Sequence, residues 1–226
     1  MLHVLRWNFC NNDIKTDRSV CAIYGRFMSL REEIIHESLK LFSLKGFLST
    51  GINDIIEAAN TSKGGFYNHF ASKEELFHVV LAEAQKIWRE RTLYGLDEIH
   101  SPVGKIKKIL ENYRDRYLID SDNFPGGCVF VTLSVELDDQ LPYLSKEINE
   151  GFEGVKRMIK RYLDDGKAIG ELKSDLNTDM MTEMIFAGMI GASVTFGVDK
   201  STQSLDKVIS SLIQFIDVAR IPKQQS

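Results

Sequence analysis

The placement of proline constrains this chain more than any other feature. There are four prolines in 226 residues, and none occurs before Pro102. Ser101-Pro102, Phe124-Pro125 and Leu141-Pro142 set the ring at or near a first helical turn, where its missing N–H costs little. Pro222 follows the last apolar run and reads as a stop. Ser29 with Glu32, and Ser72 with Glu75, place a hydroxyl and a carboxylate three residues apart, the spacing of a capping box. Apolar residues at helical spacing then predict helices over 30–45 (stopped by Gly46), 52–59 (with Thr50 as cap), 62–70, 73–93, 102–119, 142–165, 178–196 and 204–219. Within 128–135, Val129, Val131, Leu133 and Val135 alternate with other residues, which read alone favours a strand. A lone strand in a helical chain would leave its ladder groups without partners, so this segment is taken as helix.

The fold class expected is all-α. An N-terminal three-helix unit is joined by a long helix to a C-terminal helical domain. Residues 1–27 lack any period and read as a poorly ordered arm. The first domain spans 28–88, and the second spans 89–221.

Composition excludes several alternatives. With 28 basic and 32 acidic residues the net charge is -4, which argues against non-specific polyanion binding but allows a local basic face. Cys10, Cys21 and Cys128 are far apart and odd in number, so neither a disulfide framework nor a zinc cage is expected. No metal-ligand spacing, nucleophile–base pair or phosphate-cradling loop can be assembled, so no metal, cofactor or enzymatic activity is expected. The longest uncharged stretch, Met184–Val198, falls short of a span of roughly 20 residues, and no membrane association is expected. Arg6 inside the apolar start makes a poor signal peptide, and a cytoplasmic location follows as the expectation.

Function concentrates in 51–70. Two short helices flank a tight Ala59-Asn60-Thr61-Ser62 link, a helix-turn-helix pattern in which Asn60 suits a left-handed turn. Gly64 and Gly65 at a helix start are each unfavourable by about 1 kcal/mol relative to alanine. They fit a backbone that must approach something closely, as a recognition helix does in the major groove. Lys63, Tyr67, Asn68, His69 and neighbouring hydroxyls offer donors to phosphates and base edges, while Phe66 and Phe70 hold the helix from behind.

The segment GFLSTGINDIIEAANTSKGGFYNHFASKEELF resembles the DNA-binding domain of TetR-type transcriptional repressors, over about 28–88. The remainder is similar only in size and helical plan, with a Gly127-Cys128 helix start seen in a subgroup of such regulators. The resemblance implies phosphate contacts from Thr50, Tyr67, His69 and Lys73, and a groove-facing set of Ser62, Lys63, Gly64, Gly65 and Asn68. It also implies a double-stranded, near-palindromic DNA operator, a ligand-responsive repressor and a small-molecule effector of unknown identity. The sequence departs from the family at Gly51, where a hydroxyl residue is common, at Asn60, which replaces a turn glycine, and at Ile56, which replaces a small residue. A helical scaffold whose helix-turn-helix no longer reads DNA is the alternative; Gly51 and the acidic balance support it.

In the second domain, Gly188 with Ala192 and Ala187 with Gly191 are small residues four apart. They allow close helix approach, either inside the core or at a homodimer interface through 178–198 and 204–219; the resemblance favours the dimer. Trp88, Tyr113, Phe124, Cys128, Phe130, Phe152 and Met158 are candidates to line an effector pocket. Cys128 would sit in a first helical turn, where free N–H groups favour a thiolate, and the resemblance implies a redox or electrophile switch there. Flanking Val129, Phe130 and Val131 argue for an inert core thiol instead.

Overall fold

The structure, a computed structural model, describes residues 28–221; the 1–27 arm and Pro222 lie outside the described residues. Helix α1 (Leu30–Lys45) is entered through a complete capping box: Glu32 N–H donates to Ser29 Oγ at 3.3 Å and Ser29 N–H to the Glu32 carboxylate at 2.8 Å. It ends at Gly46, whose φ of 82° suits glycine. Helices α2 (Ile52–Ala58) and α3 (Lys63–Tyr67) follow, then the long α4 (Lys73–Thr92). These four close on Phe42, Phe47, Phe66, Phe70 and Phe77, none more than 1% exposed. Phe47 meets Phe42 and Phe77 edge-on at 5.5 and 5.1 Å. Burying each ring contributes about 1.5–3 kcal/mol, enough to set how these short helices pack.

Beyond a 3-10 turn at Leu96–Glu98 come α5 (Pro102–Asn112), α6 (Val129–Leu137), α7 (Pro142–Ala168), α8 (Thr178–Asp199) and α9 (Thr202–Val218). Helix α8 packs against both α7 and α9, and α5 against α7; α4 runs from the first unit into this bundle. Helix α6 also packs on α1. Among the described residues there is one isolated bridge, Leu172 with Arg220, and no strand.

The 128–135 segment is helical, with Val129, Leu133 and Leu137 buried at a spacing of four and Val135 80% exposed. Its alternation reflected β-branched residues on both faces of a helix. Other boundaries differ from expectation. Thr50 does not cap α2: Gly51 holds that position and its N–H donates to Asp54 at 2.8 Å. The third helix stops at Tyr67 rather than reaching Phe70. In the second capping box the Glu75 carboxylate takes the Ala71 N–H rather than that of Ser72. Helix α5 passes into a π-helical stretch, Tyr113–Leu118. Pro125 lies in a turn, with the helix starting only at Val129. Helix α8 extends to Asp199 and is, by length and composition, apolar enough to cross a membrane, unlike the shorter uncharged stretch within it. Met181, Ile185, Met189, Ala192 and Phe196 nevertheless bury one face of it in the bundle.

Candidate functional site

Between α2 and α3 the chain turns at Asn60, with φ 46°, and Ser62 caps α3 by accepting the Gly65 N–H at 3.0 Å. That cap leaves Ser62, Lys63, Gly64, Tyr67, Asn68 and His69 all exposed on one short element. The apolar residues interleaved with them, Phe66 and Phe70, are buried. The result is a polar edge backed by a rigid aromatic floor, suited to reading a groove.

The two glycines separate. A Cβ at Gly64 would meet only Ser62 Oγ, at 3.8 Å, so that side of the backbone is open. A Cβ at Gly65 would collide with the Thr61 hydroxyl, and Gly65 is half-buried. Glycine at 65 therefore also fits the close approach of the Thr61 side chain within the turn.

Two expected phosphate contacts have partners within the chain. Thr50 is fully buried and its hydroxyl donates to the Gly46 carbonyl at 2.6 Å, so it presents nothing to DNA. Lys73 Nζ donates to the Phe47 and Thr50 carbonyls at 2.9 Å each and lies 4.2 Å above the Phe47 ring. Desolvation there lowers its pKa, with Glu74 and Glu136 pulling the other way. Lys73 thus clamps the α1–α2 turn.

Behind this unit, α4, α6, α7, α8 and the π-helical stretch enclose a cleft of about 570 Å³. Trp88, Tyr113, Cys128, Phe130, Phe152 and Met158 line it; Phe124 does not, being buried 5.0 Å from the Tyr117 ring. Sequence reasoning missed Gln85, Arg89, Arg157 and Phe186. One signal was available. Gly151 and Gly154 lie within the unbroken α7, and a Cβ at either would meet only Gln85 Nε2 or Arg157 Nη2, at 3.9 and 3.8 Å. Mid-helix glycines cost about 1 kcal/mol each and here leave room for the cleft.

Cys128 is the N-cap of α6, and its Sγ lies 3.3 Å from the Tyr117 hydroxyl. Burial pushes the thiol pKa up, against the Tyr117 hydroxyl and the Phe130 and Val131 N–H groups, which pull it down. The thiolate expected from its position is disfavoured. The same helix reaches the first unit at its far end. Glu136 accepts the N–H groups of Phe47 and Leu48, and Gly126, just before the helix, donates to Ser43 Oγ at 3.2 Å.

On the opposite side, Met180, Met184, Ala187, Gly191, Val194 and Val198 form an exposed stripe along α8, continued by Phe215 and Val218 of α9. The small-residue pairs divide between the two readings. A Cβ at Gly188 would lie 2.5 Å from Leu212, and Ala192 is buried, so that pair seats α9. Ala187 and Gly191 face outward.

Residues 34–80 match the family model described as bacterial regulatory proteins, tetR family, and residues 102–212 match that described as tetracyclin repressor-like, C-terminal domain. The chain is similar to the HTH-type transcriptional repressor DhaR of Mycobacterium sp. (strain GP1), 24% identical over 185 residues, or 82% of this chain and 91% of DhaR. It is 30% identical over 135 residues to an uncharacterized HTH-type transcriptional regulator in the lacX 3' region of Lactococcus lactis subsp. lactis, covering 59% of this chain and 67% of that one. The solved structure of a TetR transcriptional regulator from Chloroflexus aurantiacus superposes with a TM-score of 0.79 at 28% identity, over 85% of this chain and 97% of its own.

Proposed function

Since the chain belongs to the TetR family of DNA-binding transcriptional regulators, we propose that it works in the cytoplasm as a homodimeric repressor whose hold on a near-palindromic operator is released by a small molecule in the cleft. Helix α6 carries this reading: Cys128 and Phe130 at its start line the cleft, while Glu136 near its end grips the turn that follows α1. A ligand that shifts α6 moves the support of the reading unit. Its effect on DNA affinity equals its differential affinity for the two arrangements.

The α8–α9 stripe supplies the dimer surface, and pairing through it would set two α3 helices against successive major grooves about 34 Å apart. Ser62, Lys63, Gly64 and Asn68 would then meet base edges, with Tyr67 and His69 at the phosphates. Domains of 28–88 and 89–221 fit this division of labour. Catalysis has no part in this reading.

The test is a gel-shift titration with the DNA upstream of the protein's own gene, at about 50 and 200 mM salt, followed by footprinting. A saturable complex protecting two half-sites is the expected result. Absence of any such complex at low salt would favour the non-reading scaffold.

A further inference from the structure

The polar groups deep in the cleft are already satisfied by the protein. The Tyr113 hydroxyl is bonded to Ser193 Oγ, and the Cys128 thiol faces the Tyr117 hydroxyl. The walls around the remaining space are apolar and largely aromatic, with Phe152 and Phe186 edge-on at 5.4 Å and Trp88 and Phe130 facing the same volume. Apart from the Gln85 amide, such a lining has little to offer a polar ligand body and much to offer a planar apolar one.

The cleft's charged groups are unequal. Glu147 is held by His78 Nδ1 at 2.7 Å, and Glu150 has Lys146 Nζ at 3.9 Å. The Arg89 and Arg157 side chains have no ion-pair or hydrogen-bond partner among the described residues, nor does the Gln85 amide. Both guanidiniums are exposed, which places them at the mouth. With Glu147 paired, Glu150 largely in solvent and both arginines free, the mouth attracts an anion, and the planar donor fork of arginine matches a carboxylate.

We propose that the cleft binds an amphipathic organic acid, its aromatic body among Trp88, Phe130, Phe152 and Phe186 and its carboxylate between Arg89 and Arg157. This rests on the cleft being the effector site, and it adds the chemical class of that effector. About 570 Å³ is in the range that holds a ligand of one or two fused rings with substituents.

The experiment is calorimetric titration of the full chain with three probes of one shape: naphthoate, neutral naphthamide and a naphthyl trimethylammonium. Naphthoate should bind about tenfold more tightly than naphthamide, and the cation more weakly than either. Arg89→Ala and Arg157→Ala should each erode that preference, weakening naphthoate binding by a larger factor than naphthamide binding. Glu147→Gln should not reduce it. Equal binding of acid and amide, preference for the cation, a preference that survives both arginine replacements, or no heat from any probe overturns the proposal. Operator release is read separately by gel shift. Preferred naphthoate binding without release upholds the ligand class and removes the switch; release without acid preference does the reverse.

Discussion

Glu136 and Phe47 are 89 positions apart in sequence, yet the Glu136 carboxylate accepts the Phe47 N–H at 2.6 Å and, with its other oxygen, the Leu48 N–H at 2.9 Å. One side chain of α6 thereby satisfies two backbone donors of the turn that follows α1. Hydrogen bonds to a charged group contribute about 1.5–3 kcal/mol each net of competition with water, and less where the pair is solvent-exposed, as at Leu48. Glu136→Ala should destabilise the chain by about 2–3 kcal/mol in urea unfolding, and Glu136→Gln by less. Gly46→Ala should act similarly, because its new Cβ would lie 2.5 Å from that carboxylate at a φ of 82°. If Glu136→Ala unfolds at the wild-type midpoint, α6 does not support the reading unit.

Lys73 separates a clamp from a phosphate contact. Its ammonium closes the turn from Phe47 to Thr50, so Lys73→Met should lower the melting temperature and weaken DNA binding through disorder of α2. The salt slope should fall by much less than the one unit expected for a lost phosphate contact. A full unit lost with unchanged stability would return Lys73 to the DNA.

The two glycines of α3 should part company. Gly64→Val ought to melt within a few degrees of wild type and abolish operator binding, because its side chain enters open space. Gly65→Val must displace the Thr61 hydroxyl and should lower stability first. Asn68→Ala and Lys63→Ala, both at exposed positions, should alter preference among operator variants by about 1–3 kcal/mol per base contact. Equal effects on every sequence would place these two on phosphates.

The outward stripe of α8 gives a prediction about assembly. Ala187→Glu and Val194→Asp each set a charge into a face where partner helices would meet, and leave the buried side of α8 untouched. Light scattering should report a dimer for wild type and a monomer for the double variant, with an unaltered helical spectrum. A variant that stays dimeric would place the interface elsewhere.

Cys128 supplies a pH test. Burial raises its pKa above the 9.0 of a free thiol, so the proton is held more tightly in the folded chain than in the unfolded one. Its contribution to stability is therefore complete below about pH 9 and is lost as pH rises through the folded value. Alkylation by iodoacetamide, in a chain with Cys10 and Cys21 changed to serine, should lag behind the urea-unfolded protein at pH 7.5. The gap should narrow above pH 9. Faster reaction in the folded state would show that the helix start governs the thiol, and would revive the redox switch.

The helical architecture was legible because proline, capping residues and Gly46 act locally, within one turn of the residues they organise. The polar edge of α3 was legible for the same reason: its exposed residues alternate with Phe66 and Phe70 at helical spacing. The burial of Thr50 and the partners of Lys73 were not legible, because sequence gives a residue's polarity but not the address of the group it satisfies. The carbonyls of Phe47 and Thr50 are left over by a turn, and the lysine that meets them comes from the start of α4. Phe124 failed differently. A buried aromatic and a cleft aromatic have the same signature until the neighbours are known, and Tyr117 takes its face. Nothing in the sequence around Arg89 and Arg157 sets them apart from solvated charges, and only the glycines of α7 point to the space beside them.

Helix α1 packs against α2 and α4 of its own unit and against α6 of the bundle. Near its end, a Cβ on Gly126 would collide with the Ser43 carbonyl, so that seat is backbone against side-chain-free backbone and tolerates no substitution. The division near residue 88 expected from the sequence, which falls inside α4, should therefore not be a boundary of cooperativity. A fragment cut there would keep its five phenylalanines but lose the Glu136 carboxylate beneath Phe47 and the Gly126 backbone against Ser43. The intact chain should melt in a single transition, with amide protons of α1 exchanging at the rate of the bundle.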